Sequence, residues 1–273
     1  MKYTAYLLAA ATLFMASCGE EAAQQEEETV IKPAPIEMVE VGNSPEFEGA
    51  AISMGEIKTD ADGENVKVTF NFNVQNYELM NQTGDADAKM CANSEKGQHI
   101  HFILDNEPYA ALYEPHHSVS LAKNSEHYLL AFLSRSYHES VKSEGASLVY
   151  HFKVDDKGKV QQLEAPTSPM LFYSRPKGDY VGKDDISNLL FDFFPWNTEI
   201  GANGNHVLAH IKGEGVDTTM VVNDWKAYFL HNMPTGRPTI TLTLVDKDGN
   251  KIDGPMTEVT REFGLSLGEP LEH

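Results

Sequence analysis

The stretch VKVTFNFNV, residues 66–74, alternates Val66, Val68, Phe70, Phe72 and Val74 with Lys67, Thr69, Asn71 and Asn73. Successive side chains on a strand point to opposite faces, so a period of two predicts a strand with one apolar and one wet face. PTITLTLVDKDGN, residues 238–250, repeats the pattern. Ile240, Leu242 and Leu244 alternate with Thr239, Thr241 and Thr243 before a turn at Asp248-Gly249. Strong helical periodicity over a dozen residues appears nowhere after the N-terminal segment; SVKSEGA and KDDISNLL reach a turn or two at most. The chain reads as all-β, with half-buried antiparallel strands.

A weak internal repeat organises these strands. Segments 66–79, 98–113, 126–140 and 147–154 are matched in order by 188–200, 205–230, 238–250 and 258–266. Each copy has an opening strand, EGAAISMGEI in the first and PMLFYSRPKG in the second. About seven short strands per roughly 100 residues suggest two tandem immunoglobulin-like β-sandwich domains, over 46–165 and 166–273. EAPTSP, residues 164–169, is the expected linker. One continuous double-sheet unit is the alternative.

The N-terminus supplies an address. One positive charge, Lys2, precedes an apolar run from Tyr6 to Met15 and the small residues Ala16-Ser17. The run is too short for a membrane-spanning helix and reads as a signal segment, residues 1–17. MASC resembles the lipobox of bacterial lipoproteins, in which the cysteine at the position of Cys18 is lipidated and becomes the mature N-terminus. The alternative is ordinary secretion with a free Cys18. Residues 18–45, rich in Glu and Gln and then proline, are expected to be a flexible acidic tether. Acidic residues close behind the lipid cysteine look like a surface-export tag. The expected location is the bacterial cell envelope: lipid-anchored to the outer membrane, on the periplasmic side or at the surface.

Removing residues 1–17 takes away Lys2 alone among charged groups and moves the net charge from −20 to −21. So acidic a chain is repelled by nucleic acid and anionic headgroups, so no nucleic-acid partner is expected. With Cys18 lipidated, Cys91 has no disulfide partner and reads as a buried small hydrophobe.

GQHIHFILDNEPY, residues 97–109, places His99 and His101 on one face of a predicted strand, with Asp105-Asn106 as its turn. With Ile100, Phe102 and Leu104 facing the core, both imidazoles face outward or into an interface and stay reachable. Two such histidines chelate copper or zinc when a third and usually a fourth ligand join them. Seven of the 11 histidines lie between positions 99 and 151. His116, His117, His127, His138, His151, Met80, Met90 and Cys91 are the candidates to complete a site. No spacing matches a metal motif, and histidines serving as half-buried hydrogen-bonding strand residues are the competing reading; no other cofactor is implied.

FLSRSYHES, residues 132–140, packs Ser134, Arg135, Ser136, Tyr137 and His138 at a strand end. A guanidinium flanked by hydroxyls suits a carboxylate or phosphate. An internal partner for Arg135, such as Asp105 or Glu107, is the alternative. No Gly-x-Ser-x-Gly elbow and no glycine-rich phosphate loop is present, so an enzyme is not expected. DADGEN and DKDGNKID lack the distal glutamate of a calcium loop and read as hairpin turns. Trp225 is expected in the core of the second sandwich, and Pro195 in FDFFPWN limits its strand to an edge or a bulge.

The blocks MCANSEKGQHIHFILDNEPY, YLLAFLSRSYHES, PMLFYSRPKGDYVGKD and LTLVDKDG, in this order over about residues 47–266, resemble a family of bacterial lipoproteins described as phosphopeptide-binding. The resemblance implies an anchored binding module for a peptide, protein or phosphorylated ligand, with Arg135, Arg175 and nearby hydroxyls as anion contacts. Copper or zinc binding through His99 and His101 is the second expectation.

Overall fold

Strand β1 (Glu37–Glu40) is followed by the hairpin of β2 (Ala51–Asp62) and β3 (Asn65–Gln75). In β3, Val66, Val68, Phe70 and Phe72 are buried while Asn65, Lys67 and Asn73 are exposed, as the alternation requires. A four-residue helix α1 (Ala86–Lys89) leads to β4 (His99–Leu104), β5 (Ala110–Leu112), β6 (His116–Ala122), β7 (Ser125–Ser134), β8 (Ser147–Val154) and β9 (Val160–Gln162). This computed structural model describes residues 34–272; the expected signal segment, Cys18 and most of the tether lie outside them.

The strands form a three-stranded sheet, β2-β3-β6, and a five-stranded sheet, β5-β4-β7-β8-β9. Between them lies a core that includes Phe70, Phe72, Ile100, Phe102, Leu129, Ala131 and Phe152.

The second half supplies β10 (Met170–Arg175), β11 (Gly178–Val181), helix α2 (Lys183–Ser187), β12 (Leu189–Trp196), β13 (His206–Gly213), β14 (Val216–Val222), β15 (Tyr228–His231), β16 (Thr239–Val245) and β17 (Glu258–Ser266). Its sheets are β1-β15-β12-β10 and β11-β17-β16-β13-β14. The run β5-β4-β7-β8 in the first sandwich has the same chain order as β14-β13-β16-β17 in the second, and β3-β6 corresponds to β12-β15. Both runs follow the C′-C-F-G order of an immunoglobulin-like sandwich. The fold is all-β, and the four repeated segments of the sequence are the corresponding strands β3/β12, β4/β13, β7/β16 and β8/β17.

Residues 37–40, expected within the tether, are a paired strand instead. Glu37, Met38, Val39 and Glu40 pair with β15, and Ile36 and Met38 pack on the second core. Trp225 is half-buried where the second core meets the inter-sandwich cluster, and its indole N–H donates to the Phe193 carbonyl at 2.9 Å. Pro195 lies beyond the Leu189–Phe191 stretch that pairs with β15, so its missing N–H costs no bond on that side.

Four strands depart from alternation. β10 is buried throughout, and so are residues 99–103 of β4, 129–134 of β7 and 189–195 of β12. The face of β4 and β7 turned away from the first core meets β10 and β12 across a cluster of Ile103, Leu130, Phe132, Met170, Phe172 and Phe194. Polar contacts fix this junction. Asn106 in the β4–β5 turn donates to the Leu171 carbonyl at 2.8 Å and accepts from the Tyr173 N–H at 2.9 Å. The fully buried Asp192 of β12 pairs with Lys142 at 2.7 Å and accepts from the Ser140 N–H at 3.0 Å. Phe132 is fully buried in the apolar part, stacked on Phe194 with centroids 5.6 Å apart. Phe132→Ala should therefore lower the unfolding free energy by about 3–5 kcal/mol in urea titration; a loss below about 0.5 kcal/mol would mean that the two sandwiches do not share this core.

Candidate metal centre

Strand β4 carries His99 and His101 on the face that meets the second sandwich, and neither retains any exposed surface. The face assignment from alternation holds, but the imidazoles are not open to solvent on that face as expected, because β10 and β12 cover it. The third histidine arrives through a turn. His99 pairs in register with Ser134, the last residue of β7. Beyond it the chain reverses, with the Arg135 N–H donating to the Glu139 carbonyl and the His138 N–H to the Arg135 carbonyl, both at 2.9 Å. His138 sits at φ 72°, a left-handed conformation that few residues other than glycine and asparagine adopt readily. This turn brings its ring back over the end of β4.

Three ring nitrogens converge there. His99 Nε2 lies 3.0 Å from His101 Nε2 and 3.0 Å from His138 Nδ1, and the ligand atoms of the trio all lie within 4.8 Å of one another. Tetrahedral zinc with Zn–N of about 2.0–2.1 Å separates its ligand nitrogens by about 3.3–3.4 Å. Two of the spacings in the trio, at 3.0 Å, are a little shorter than this.

The surrounding bonds orient the rings. His99 Nδ1 lies 2.8 Å from the Gly97 carbonyl. A carbonyl only accepts, so in the neutral ring Nδ1 carries the proton and Nε2 presents a lone pair. His101 Nδ1 meets the Ser174 hydroxyl, from β10, at 3.1 Å. Outer contacts of this kind hold metal-binding imidazoles in place. Gly97 has φ +84°, and a Cβ there would lie 2.6 Å from the Asn81 carbonyl oxygen, so glycine is required where the chain enters β4.

Electrostatics keep the trio unprotonated. Burial lowers the His99 pKa from 6.5 to about 4; the Gly97 hydrogen bond opposes the fall and Arg175 adds to it. His101 and His138 lie well below their usual value, first through burial and then through positive charge from Arg175, Lys177 and neighbouring histidines. His138 is half-buried as a residue, where His99 and His101 are fully buried.

The other sequence candidates are placed elsewhere. The anion-binding reading of Arg135, Ser134, Ser136 and Tyr137 requires accessible donors, and all four are buried with internal partners. Arg135 donates to the carbonyls of Ser140 and Pro45 at 2.9 and 2.6 Å and lies 3.7 Å from Glu139, the partner found in place of Asp105 or Glu107. The Ser134 hydroxyl donates to the Arg135 carbonyl, Ser136 Oγ accepts from the Thr83 N–H, and the Tyr137 hydroxyl faces Asp85 at 3.5 Å. Met80 and Met90 are exposed. Cys91 is a half-buried free thiol, pushed up to about 12 chiefly by burial, and stands outside the histidine cluster. His127 pairs with Asp105 at 2.6 Å, His151 with Glu126 at 2.8 Å and His116 with Glu114 at 3.5 Å, while His117 packs on Phe102.

Tyr109 and Ser174 complete the surroundings and escaped the sequence reading. Tyr109 ends the same quoted stretch as His99, and Ser174 directly precedes Arg175. In the second sandwich, His206 and His210 on β13 do not form such a cluster; His210 pairs with Asp217 at 2.6 Å.

No protein-family profile matches the chain, and no curated protein matches it. Among solved structures it is similar to the fibronectin(III)-like modules of Clostridium thermocellum CbhA, at 9% identity over 78% of this chain and 95% of that one, with a TM-score of 0.26. It is also similar to the FN1-FN3 domains of chicken CNTN1, at 11% identity, 80% and 68% coverage and a TM-score of 0.26. A third similarity is to the BSP domain of a biofilm associated protein, at 13% identity, 78% and 29% coverage and a TM-score of 0.23. At these scores the likeness carries no functional conclusion.

The buried trio has a pH consequence. With folded pKa values below the unfolded 6.5, the unfolded chain takes up protons first as the pH falls. The contribution of the neutral rings is fully present above about pH 6.5 and is lost progressively as the pH falls below it, toward about 4 for His99 and further for as long as His101 and His138 stay neutral, at up to about 1.4 kcal/mol per pH unit for each ring. Urea unfolding of the metal-free protein between pH 7 and 4.5 should show this slope, and His138→Asn, which tolerates the left-handed backbone, should make it shallower. Identical slopes in the two proteins would contradict the assignment.

Proposed function

We propose that this protein is a lipid-anchored module of the bacterial cell envelope that binds one transition-metal ion, zinc or copper, through His99 Nε2, His101 Nε2 and His138 Nδ1. The observation that carries this reading is the convergence of three ring nitrogens within 4.8 Å, at a place where burial keeps them unprotonated. Neutral imidazole suits zinc and copper, and the absence of thiolate from the set fits these ions in an oxidising compartment. Positioning by Gly97 and Ser174 supports a site formed before metal arrives.

The reading is of a binding module and not of an enzyme. Two of the three donors have no exposed surface, and Tyr109 stacks on His101 with centroids 3.7 Å apart and ring planes 8° apart. Substrate has little room beside such a metal. A peptide or phosphorylated ligand, which the family resemblance suggests, would have to displace the Pro45 and Ser140 carbonyls from Arg135, and nothing at that position favours it.

Metal-stripped protein titrated with Zn(II) and Cu(II) should take up about one ion per chain and melt at a higher temperature. His138→Asn should abolish both effects. His127→Ala and His151→Ala, at imidazoles already paired with carboxylates, should leave them unchanged. No uptake, or full uptake by His138→Asn, would overturn the proposal. The anchor is tested separately: Cys18→Ser should move the protein from the membrane fraction to the soluble fraction, and an unchanged distribution would remove the lipid from this account.

A further inference from the structure

A chain with 41 acidic and 21 basic residues has carboxylates to spare for its cations. Arg135 lies beside Glu139, Lys142 beside Asp192, and Arg237 beside Asp179 and Glu262. Arg175, Lys177 and Arg261 differ. Among the described residues they meet tyrosine rings and pair with no carboxylate. Buried arginines are rarely left without a counter-charge, because an uncompensated charge out of water is strongly destabilising.

The three cations belong to one neighbourhood. Arg175 ends β10, Lys177 precedes β11 and Arg261 lies on β17. The Arg175 guanidinium is 5.6 Å from the Tyr109 ring centroid and Lys177 Nζ is 4.6 Å from the same centroid. Arg261 stands 5.4 Å from the ring of Tyr173, two residues before Arg175. Burial first, and then the charges of Arg175 and Arg261, hold the Lys177 pKa below its usual value. Glu107 acts on Arg261 without pairing with it, and Asp179 is taken by Arg237.

The cluster also holds donors with nothing to donate to. Arg175 Nε, Arg261 Nε and the Tyr173 hydroxyl are buried and have no partner among the described residues. The Tyr180 oxygen accepts from Arg175 Nη1 and from the Lys177 N–H, which leaves its own hydrogen to give. Arg175 is buried while Lys177 and Arg261 keep part of their surface, so Arg175 is the floor and the other two are the mouth.

We propose that Arg175, Lys177 and Arg261 form a binding site for an oxyanion carrying more than one negative charge, of the phosphate type. Guanidinium groups fit the oxygens of such an anion, and a mobile ammonium adds a point charge. The site uses none of the three histidines and needs no metal.

Metal-stripped full-length protein, titrated calorimetrically with sodium phosphate at constant ionic strength, should take up about one phosphate per chain and melt at a higher temperature. Lys177→Gln and Arg261→Gln should each weaken uptake at least about tenfold. Arg237→Gln, at a guanidinium already paired with carboxylates, should leave it unchanged. Phenyl phosphate bound as tightly as phosphate would support the site and assign it to a group carried on a larger molecule; its exclusion would support it and assign it to the free ion. No saturable uptake by the unmutated protein, an equal melting shift from chloride, or full affinity in both glutamine variants would overturn the proposal. Because no metal enters this titration, such a failure leaves the histidine centre standing.

Discussion

The apolar contact between the two sandwiches is the constraint on which the rest depends. β4 and β7 already have one face in the first core, and packing β10 and β12 over the other face removes it from water. That contact turns two strand histidines from wet surface residues into buried neutral imidazoles. It also delivers Ser174 to His101 from the second half of the chain. An isolated first sandwich would keep the sequence spacing of His99 and His101 and lose the environment that shifts their protonation.

Burial alone does not make a ligand set. Directed lone pairs do, and here local backbone directs them. A glycine at the entrance to β4 lets the Gly97 carbonyl fix the His99 tautomer, and a left-handed residue in the 135–139 turn aims His138 at the same point. A left-handed histidine costs about 1 kcal/mol or more. The positive neighbours Arg175 and Lys177 weaken protonation further, and the same charges would oppose a dication at the three nitrogens, so burial and not charge is what leaves the lone pairs free for a metal.

Much of the fold is legible in the sequence, for a physical reason. β3 and β16 each have one wet face, so alternation survives in their residues, and the matched order of β3/β12, β4/β13, β7/β16 and β8/β17 can be followed along the chain. The inter-sandwich junction is harder to read. LLAFLS in β7 and LLFDFFP in β12 are near-continuous apolar runs because both faces are covered, and a run of that kind does not say which neighbour covers it. The short strand β1 is hidden among prolines and glutamates; only the spacing of Ile36 and Met38 marks it. At the site, the pairing of His99 with His101 is legible from their spacing of two. The arrival of His138 depends on a hairpin turn and a left-handed backbone that no residue type announces. Arg135 misleads because its partners are main-chain carbonyls of Pro45 and Ser140, which leave no mark in the sequence.

Histidine-ring 15N NMR with and without one equivalent of zinc reports whether His99, His101 and His138 share one metal ion. With zinc, His99 Nε2, His101 Nε2 and His138 Nδ1 should move together to metal-bound shifts, while His99 Nδ1 stays protonated against Gly97 and the rings of His116, His127 and His151 are unmoved. Zinc shifts confined to those outer histidines, or no shift in the buried trio, would contradict it.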